Sequence, residues 1–147
     1  MNIEIRRYRI RTETIDGQLF INGSTKICDT AENALHALPA GDYKVHVCKC
    51  KRHARKMPIV CLEGSTLPCD RCKKLPYTGF NTTMPIYCPM LTAGNGVYNR
   101  NDGAILLGEY IAPGCLKHPK DNFDRVYEMI RKAAERNHQI TLTIKEP

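Results

Sequence analysis

The sequence lacks the features that mark several large classes of protein. No stretch approaches the roughly 20 uninterrupted apolar residues of a membrane span, and the charged N-terminus MNIEIRRYRIR contains no apolar signal segment. We therefore expect no membrane span and a cytoplasmic protein. The chain also has no Walker glycine loop, dinucleotide fingerprint, Gly-x-Ser-x-Gly or His-Glu-x-x-His motif, so no motif assigns it to a nucleotide-binding or hydrolase class.

Length and composition are those of one globular unit. A chain of 147 residues with 42% hydrophobic content can bury about 68% of its unfolded surface, which suits one core better than two. No repeat, low-complexity tract or linker divides it, so we predict a single domain over residues 1–147. Residues 63–84 are poor in aliphatic side chains and rich in Gly, Pro, Thr, Lys and Cys. We interpret them as a loop insertion.

Hydrophobic periodicity predicts mainly β-structure. A first strand covers Asn2–Arg11, and the shift in its apolar phase indicates a bulge near Arg6–Arg7. Asn22-Gly23 is typical of a two-residue type I′ turn and predicts a hairpin between Gly17–Ile21 and Ser24–Asp29. One short helical turn is predicted at Thr30–Ala37. The remaining predicted strands are Asp42–Cys48, Pro58–Leu62, Ile86–Leu91, Ala104–Leu107 with a continuation through Glu109–Ala112, and Gln139–Lys145.

One amphipathic helix is predicted near the C-terminus. Its apolar residues recur at helical spacing: Phe123, Val126, Tyr127, Ile130, Ala133 and Ala134. We expect Asp121 to cap its start and Asn137 to end it in the left-handed conformation. The predicted fold class is therefore α+β: a mainly antiparallel, small β-barrel or sandwich with one C-terminal helix packed on the sheet.

The segment AGNGVYNRNDGAILLG at Ala93–Gly108 is the most informative in the chain, since a polar, glycine-rich loop runs directly into a short apolar strand. Four side chains crowd oxygen atoms into this loop and could hold a polar ligand or a hard cation: Asn95, Asn99, Asn101 and Asp102. The alternative is that they form hydrogen bonds that cap the loop itself.

Four segments together resemble a known family. They are GQLFIN at Gly17–Asn22, LPAGDYKVHV at Leu38–Val47, RHARKMPIV at Arg52–Val60, and the central loop with the strand that follows it. The pattern resembles an uncharacterised family of small bacterial and phage domains, itself similar to the L,D-transpeptidases (YkuD-like) in its His…Gly-Cys signature. The resemblance implies that the chain has the β fold of the L,D-transpeptidase-like domains. In this chain Thr92 stands at the His position and Ala104 at the Cys position, so we expect a non-catalytic domain that acts in binding or structure.

An alternative is a thiol-dependent enzyme acting on peptidoglycan with a relocated cysteine. Catalysis of this kind needs a thiolate beside a base. The local replacements are Cys88 and the pair Cys115 and His118. A small buried cysteine and a histidine on a surface loop are the alternative interpretation of these residues.

The spacing of four cysteines predicts a zinc site. Cys48-x-Cys50 and Cys69-x-x-Cys72 are separated by a length close to that of a two-knuckle zinc ribbon. A bound zinc would order the insertion, with Cys61 or His53 as substitute ligands. The alternatives are unligated thiols, some of them buried, and disulfides.

Positive charge predicts an anionic partner. The net charge is +7, and six of the eight residues in Lys49–Lys56 are basic. A second cluster contains Arg6, Arg7, Arg9 and Arg11. Nucleic acid or a cell-wall polymer would suit such surfaces, which gives a further alternative function, a basic, zinc-stabilised nucleic-acid-binding module. Two solvated faces are the simpler interpretation.

Overall fold

The computed structural model describes residues 1–23, 25–49, 55–62, 77–78, 85–86 and 89–147. The single helix of this part, α1, covers Pro119–Glu135. The strands are β1 Asn2–Ile10, β2 Thr14–Ile21, β3 Lys26–Asn33, β4 Gly41–Lys49, β5 Lys56–Leu62, β6 Tyr77–Thr78, β7 Pro85–Ile86, β8 Leu91–Ala93, β9 Ile105–Ala112, β10 Cys115–Lys117 and β11 Thr141–Lys145.

Nine of the described strands form one sheet in the order β10-β9-β3-β2-β1-β11-β4-β5, and β8 pairs with β9. All the pairs are antiparallel except β1 with β11 and β8 with β9. The two ends of the sheet meet just before β8: Met90 pairs with Ile59 of β5, and the Val60 N–H donates to the Pro89 carbonyl at 2.8 Å. The sheet is therefore a nearly closed barrel.

The predicted fold class is confirmed, since the protein is mainly antiparallel β with α1 packed against the sheet. The register of β1 on β2 shifts between Arg7 and Arg9, which places the expected bulge at Tyr8. Asn22 and Gly23 both have positive φ, at 53° and 68°. The hairpin is confirmed, but its strands end at Ile21 and begin again at Lys26, so the connection is longer than two residues.

Three expectations about local structure were wrong. The helical turn predicted at Thr30–Ala37 does not form, because pairing with β2 continues β3 to Asn33, and β9 pairs with β3 through Ala31. Asp121 does not cap α1: the helix starts at Pro119, whose fixed φ suits a first helical position, and His118 is the residue before it. The short strand β10 was not predicted. Asn137 ends the helix with φ 57°, as expected.

The main core fills the barrel and the space beneath α1. Its members are aliphatic residues of β1, β2, β4, β5, β9 and β11 together with the apolar face of the helix. The fully buried helix residues are Phe123, Val126 and Ile130, which matches the predicted periodicity. A smaller cluster lies on the other face of β9: Ala31, Val97, Ala104, Leu106 and Leu116.

A buried ion pair crosses the interior of the barrel. The Arg7 side chain is fully buried; its Nε and Nη2 donate to the two carboxylate oxygens of Glu32 at 3.0 and 2.7 Å. Nη2 also donates to the Leu38 carbonyl at 2.7 Å, and Nη1 donates to Glu146 at 3.2 Å. Desolvation opposes the charge, but the charges of Glu32 and Glu146 outweigh it and raise the pKa of Arg7. The pair joins β1, β3, the segment before β4 and the end of the chain.

Removing one member of this pair should destabilise the protein strongly. Arg7→Met leaves the Glu32 carboxylate buried without its cation, and we expect a loss of about 3–5 kcal/mol in the free energy of unfolding, measured by urea denaturation. The double variant with Glu32→Met should recover most of this loss. Arg131→Met, which removes an exposed ion pair, should leave stability almost unchanged. A double variant no more stable than Arg7→Met would contradict the account.

Two buried groups should make the protein sensitive to alkaline pH. Burial raises the pKa of the Cys28 thiol from 9.0 to about 12, and burial raises the pKa of Tyr43 from 10.0 to about 12. At a pH between the ordinary pKa of each group and its raised pKa in the folded protein, Cys28 and Tyr43 keep protons that they release in the unfolded chain. Stability should therefore be unaffected by these groups below pH 9 and fall as pH rises towards 12, by about 1.4 kcal/mol per pH unit for each retained proton.

Urea denaturation from pH 8 to 11.5 measures this dependence. Cys28→Ala and Tyr43→Phe should each make the fall in stability less steep, because each removes one retained proton. Tyr98→Phe is the control, since Tyr98 is largely exposed. A pH dependence that neither core variant changes would show that other groups cause it.

Candidate ligand-binding groove

A groove of about 480 Å³ lies between α1 and the place where the sheet closes. Its lining combines two cations, one carboxylate, one hydroxyl and apolar side chains: Arg55, Met57, Thr92, Lys120, Phe123 and Asp124, with Ala93 beside Thr92. We call it the α1 groove. Its volume is within the range of about 300–1,000 Å³ that small-molecule sites occupy.

The helix is fixed in position by its apolar face and by hydrogen bonds to the sheet, among them one from Arg125 to the Ile27 carbonyl. Phe123, Val126 and Ile130 are buried against the sheet, and the Tyr127 hydroxyl donates to the Lys56 carbonyl at the start of β5 at 2.8 Å. The first turns of α1 therefore lie beside β5 and β8. This placement brings Lys120 and Asp124, one helical turn apart, to the edge of the groove.

Arg55 is held by aromatic rings. Its guanidinium carbon lies 5.0 Å from the ring centroid of Tyr127 and 5.4 Å from that of Phe123, within the range of cation–π attraction. The two rings are themselves stacked, with centroids 5.4 Å apart. Among the residues that the structure describes, no carboxylate lies within ion-pair distance of Arg55. The side chain is oriented, and its charge is not neutralised by a described neighbour.

Lys120 contributes the second cation. Its ammonium group lies 2.6 Å from an Asp124 carboxylate oxygen. This hydrogen bond and the charge of Asp124 raise the pKa of Lys120, while the positive charge of Arg55 acts in the opposite direction. Arg55 and Lys120 are therefore close enough to repel each other, and the groove carries two positive charges against one negative charge.

Thr92 supplies a hydroxyl to the groove. It lies on β8, opposite Leu106 of β9, and only 6% of it is exposed. Within the described part of the chain, its hydroxyl has no hydrogen-bond partner. The hydroxyl oxygen itself is not fully buried, so water or a ligand in the groove can hydrogen-bond to it.

Ala104 does not line the α1 groove. Its side chain is 3% exposed and packs in the small cluster with Val97 and Leu116. Its N–H donates to an Asp102 carboxylate oxygen at 3.2 Å. Residue 104 therefore has an apolar structural role in this fold, and it provides no atom for chemistry.

Two of the polar side chains in the central loop form hydrogen bonds within the loop or to β10, as expected if they stabilise the loop itself. The Asn95 side-chain amide donates to the Leu116 carbonyl at 3.3 Å. Asp102 accepts from Ala104 and from the Arg100 guanidinium, the latter at 3.1 Å. Asn99 and Asn101 are exposed. Asn95 and Asp102 therefore form hydrogen bonds that stabilise the loop. The ligand-binding role of the four residues stays a prediction.

Cys115 and His118 are separated by the end of β10. The Cys115 thiol is half-buried, and His118 precedes α1 with φ 50°. In the described residues, no hydrogen bond joins this thiol to the imidazole. His118 faces a second, polar cleft that also contains Glu109 and Arg125. Cys88, the other suggested nucleophile, lies outside the described residues, so the relocated-thiol hypothesis stays a prediction.

The zinc prediction falls mostly on residues that are not described. Cys48 lies near the end of β4, whereas Cys50, Cys69 and Cys72 lie outside the described ranges. Among the residues that are described, no group of three or more His, Cys, Asp or Glu side chains could hold a metal ion. The same residues include no helix long and apolar enough to cross a membrane.

Comparisons of the chain with protein-family models, with curated proteins and with solved structures give no match.

Sequence reasoning missed the α1 groove as a site. The sequence places Arg55 in a basic run and Phe123 at a core position of the helix, and neither pattern predicts a groove. Lys120 and Asp124 gave one local signal, their spacing of four residues, which predicts a surface ion pair on a helix. No signal in the sequence showed that this surface faces Thr92 and Met57.

Proposed function

We propose that this chain is a non-catalytic binding domain of the L,D-transpeptidase-like β fold it resembles, and that the α1 groove is its ligand site. The observation that carries the proposal is the contrast between two positions. Thr92, at the position of the family's His, lies in a groove large enough for a ligand. Ala104, at the position of the family's Cys, is buried in an apolar cluster.

The side chains at these two positions are unsuited to acyl transfer. A methyl group has no nucleophilic atom, and a threonine hydroxyl does not act as a general base near neutral pH. The same groove keeps what binding requires, namely oriented charges, an available hydroxyl and apolar walls. The absence of reactive groups at these two positions, beside a groove that offers such contacts, supports a protein that recognises its ligand without transforming it.

Two measurements test this proposal. The protein should neither crosslink nor cleave peptidoglycan stem peptides, and an acylating β-lactam should add no mass to it. Ala104→Cys should remain unlabelled at residue 104 while the protein is folded, because that position is 3% exposed and a buried thiol is unreactive. Peptide mapping by mass spectrometry distinguishes this thiol from the native ones. Time-dependent acylation of Cys88 or Cys115, abolished by its change to Ala, would instead support the thiol enzyme.

A nucleic-acid-binding module is the second candidate function, and one observation favours it. Lys49 and Lys56 are paired directly across β4 and β5, and like charges at such positions repel each other. Arg55 adjoins them, and the sequence between them contains further basic residues. A polyanion bound along this hairpin would relieve the repulsion.

Salt dependence tests the second candidate. If phosphates are bound, the logarithm of affinity for duplex or single-stranded DNA should fall steeply with the logarithm of salt concentration, by about 0.7–0.9 for each phosphate contact. The triple variant Lys49→Gln, Arg55→Gln and Lys56→Gln should reduce this slope. The matched control changes three exposed lysines elsewhere to Gln: Lys26, Lys132 and Lys145. Absent binding at low salt, or equal losses in both triple variants, would reject nucleic acid as the ligand.

A further inference from the structure

The charges of the α1 groove restrict the class of ligand. We infer that the groove binds an oxyanion, a carboxylate or a phosphate, carried on an apolar body. This inference rests on the proposed function, because it concerns the ligand of the same groove.

The two cations have different roles in this inference. The planar guanidinium of Arg55 is oriented by the rings of Phe123 and Tyr127 and has no described carboxylate partner. An oriented guanidinium donates two parallel hydrogen bonds to a carboxylate or a phosphate. Lys120 already contacts Asp124 and can add its charge without losing that contact, because an ammonium group has three donors. The pair therefore favours an anion over a cation or a neutral ligand.

The hydroxyl of Thr92 provides a third contact for the oxyanion. Thr92 as a residue is 6% exposed, its hydroxyl opens into the same groove, and no hydrogen bond joins that hydroxyl to another described residue. A hydroxyl donates to a carboxylate or a phosphate oxygen, and hydrogen bonds to charged groups are stronger than those between neutral groups. The buried position of Thr92 favours an oxyanion that enters the groove over one that only touches its rim.

The apolar lining requires a second part of the ligand. Ala93 and the small accessible parts of Met57 and Phe123 supply this surface, and a small inorganic ion would leave it in contact with water. An acyl or alkyl chain attached to the anionic group would cover it and gain affinity in proportion to the area it buries. Free phosphate or acetate should therefore bind more weakly than a longer-chain analogue with the same head group.

Four matched probes separate charge from apolar contact: hexanoate, hexyl phosphate, hexanol and hexylammonium. Each is titrated into isotope-labelled full-length protein, and amide shifts in the NMR spectrum report where it binds. We expect hexanoate, hexyl phosphate or both to shift Thr92, Lys120 and Phe123 with saturation. Hexanol should bind at least about tenfold more weakly, because it cannot form the charge-assisted bonds. Hexylammonium should not bind in the groove. The two anionic arms identify which oxyanion is preferred.

Three substitutions test the individual contacts. Arg55→Gln and Lys120→Gln should each weaken binding of the preferred anion about tenfold, while Thr92→Val should weaken it severalfold at similar volume. Thr92→Ser, which keeps the hydroxyl, should restore most of the affinity. Lys132→Gln is the matched control, because it removes one exposed lysine from the last turn of α1 and should change affinity little. Each variant is checked by its NMR spectrum, so that loss of folding is not mistaken for loss of binding.

The results of these titrations distinguish the oxyanion inference from the proposal that the α1 groove is a ligand site. If hexanol binds the groove as well as hexanoate and hexyl phosphate, the groove is a ligand site but the oxyanion inference is wrong. If none of the probes shifts a groove residue, and neither do the members of a neutral fragment library, then both the inference and the proposed function fail. Equal loss of affinity in Arg55→Gln and Lys132→Gln would show that only net charge matters, and would also overturn the inference.

Discussion

Closure of the sheet is the constraint on which the rest of the structure depends. A twisted sheet with open ends would expose unpaired backbone groups at both edges. Here the segment before β8 pairs with β5 through Met90 and Ile59, while β8 pairs with β9. The enclosed interior then holds one main core, to which the apolar face of α1 contributes. The α1 groove follows from this arrangement, because short, irregular pairing between β5 and β8 leaves space that the helix covers only in part.

The buried cation of the barrel has several partners, whereas the cations of the α1 groove have few. Arg7, inside the barrel, has both carboxylate oxygens of Glu32, a backbone carbonyl and Glu146 as partners. Such satisfaction is what an interior charge requires to persist. At the groove, only Lys120 has a described carboxylate partner, Asp124, while Arg55 lies over the rings of Phe123 and Tyr127. A groove that keeps an excess of positive charge beside an accessible hydroxyl is suited to an anionic ligand.

The family resemblance and the geometry support the same proposal from different sides. The proposed likeness places Thr92 and Ala104 at the positions where chemistry would occur, and both residues are inert. The structure assigns these positions to different surroundings, a groove for Thr92 and an apolar cluster for Ala104. A reactive cysteine at position 104 would need the loop that covers it to be arranged differently. The proposed binding function requires no such change.

Local sequence signals determined most of the individual elements. The positive φ of Asn22 and Gly23, the apolar periodicity of α1 and the alternation of β4 and β11 all follow from interactions between residues near one another in the chain. The exceptions have tertiary causes. Thr30–Ala37 has a sequence compatible with a helical turn, but pairing with β2 extends β3 to Asn33. Strand β10 forms where the chain turns back on β9 at Pro113-Gly114.

The sequence by itself determined the fold class, the amphipathic helix and the basic character of Lys49–Lys56, because periodicity and composition are local properties. Only the tertiary structure decided that β11 lies between β1 and β4, that Arg7 is buried with Glu32, and that Arg55 faces Thr92 and Lys120 across one groove. These arrangements join residues far apart in the chain. No local pattern encodes such contacts, since they depend on which strands meet when the sheet closes and on where the helix then packs.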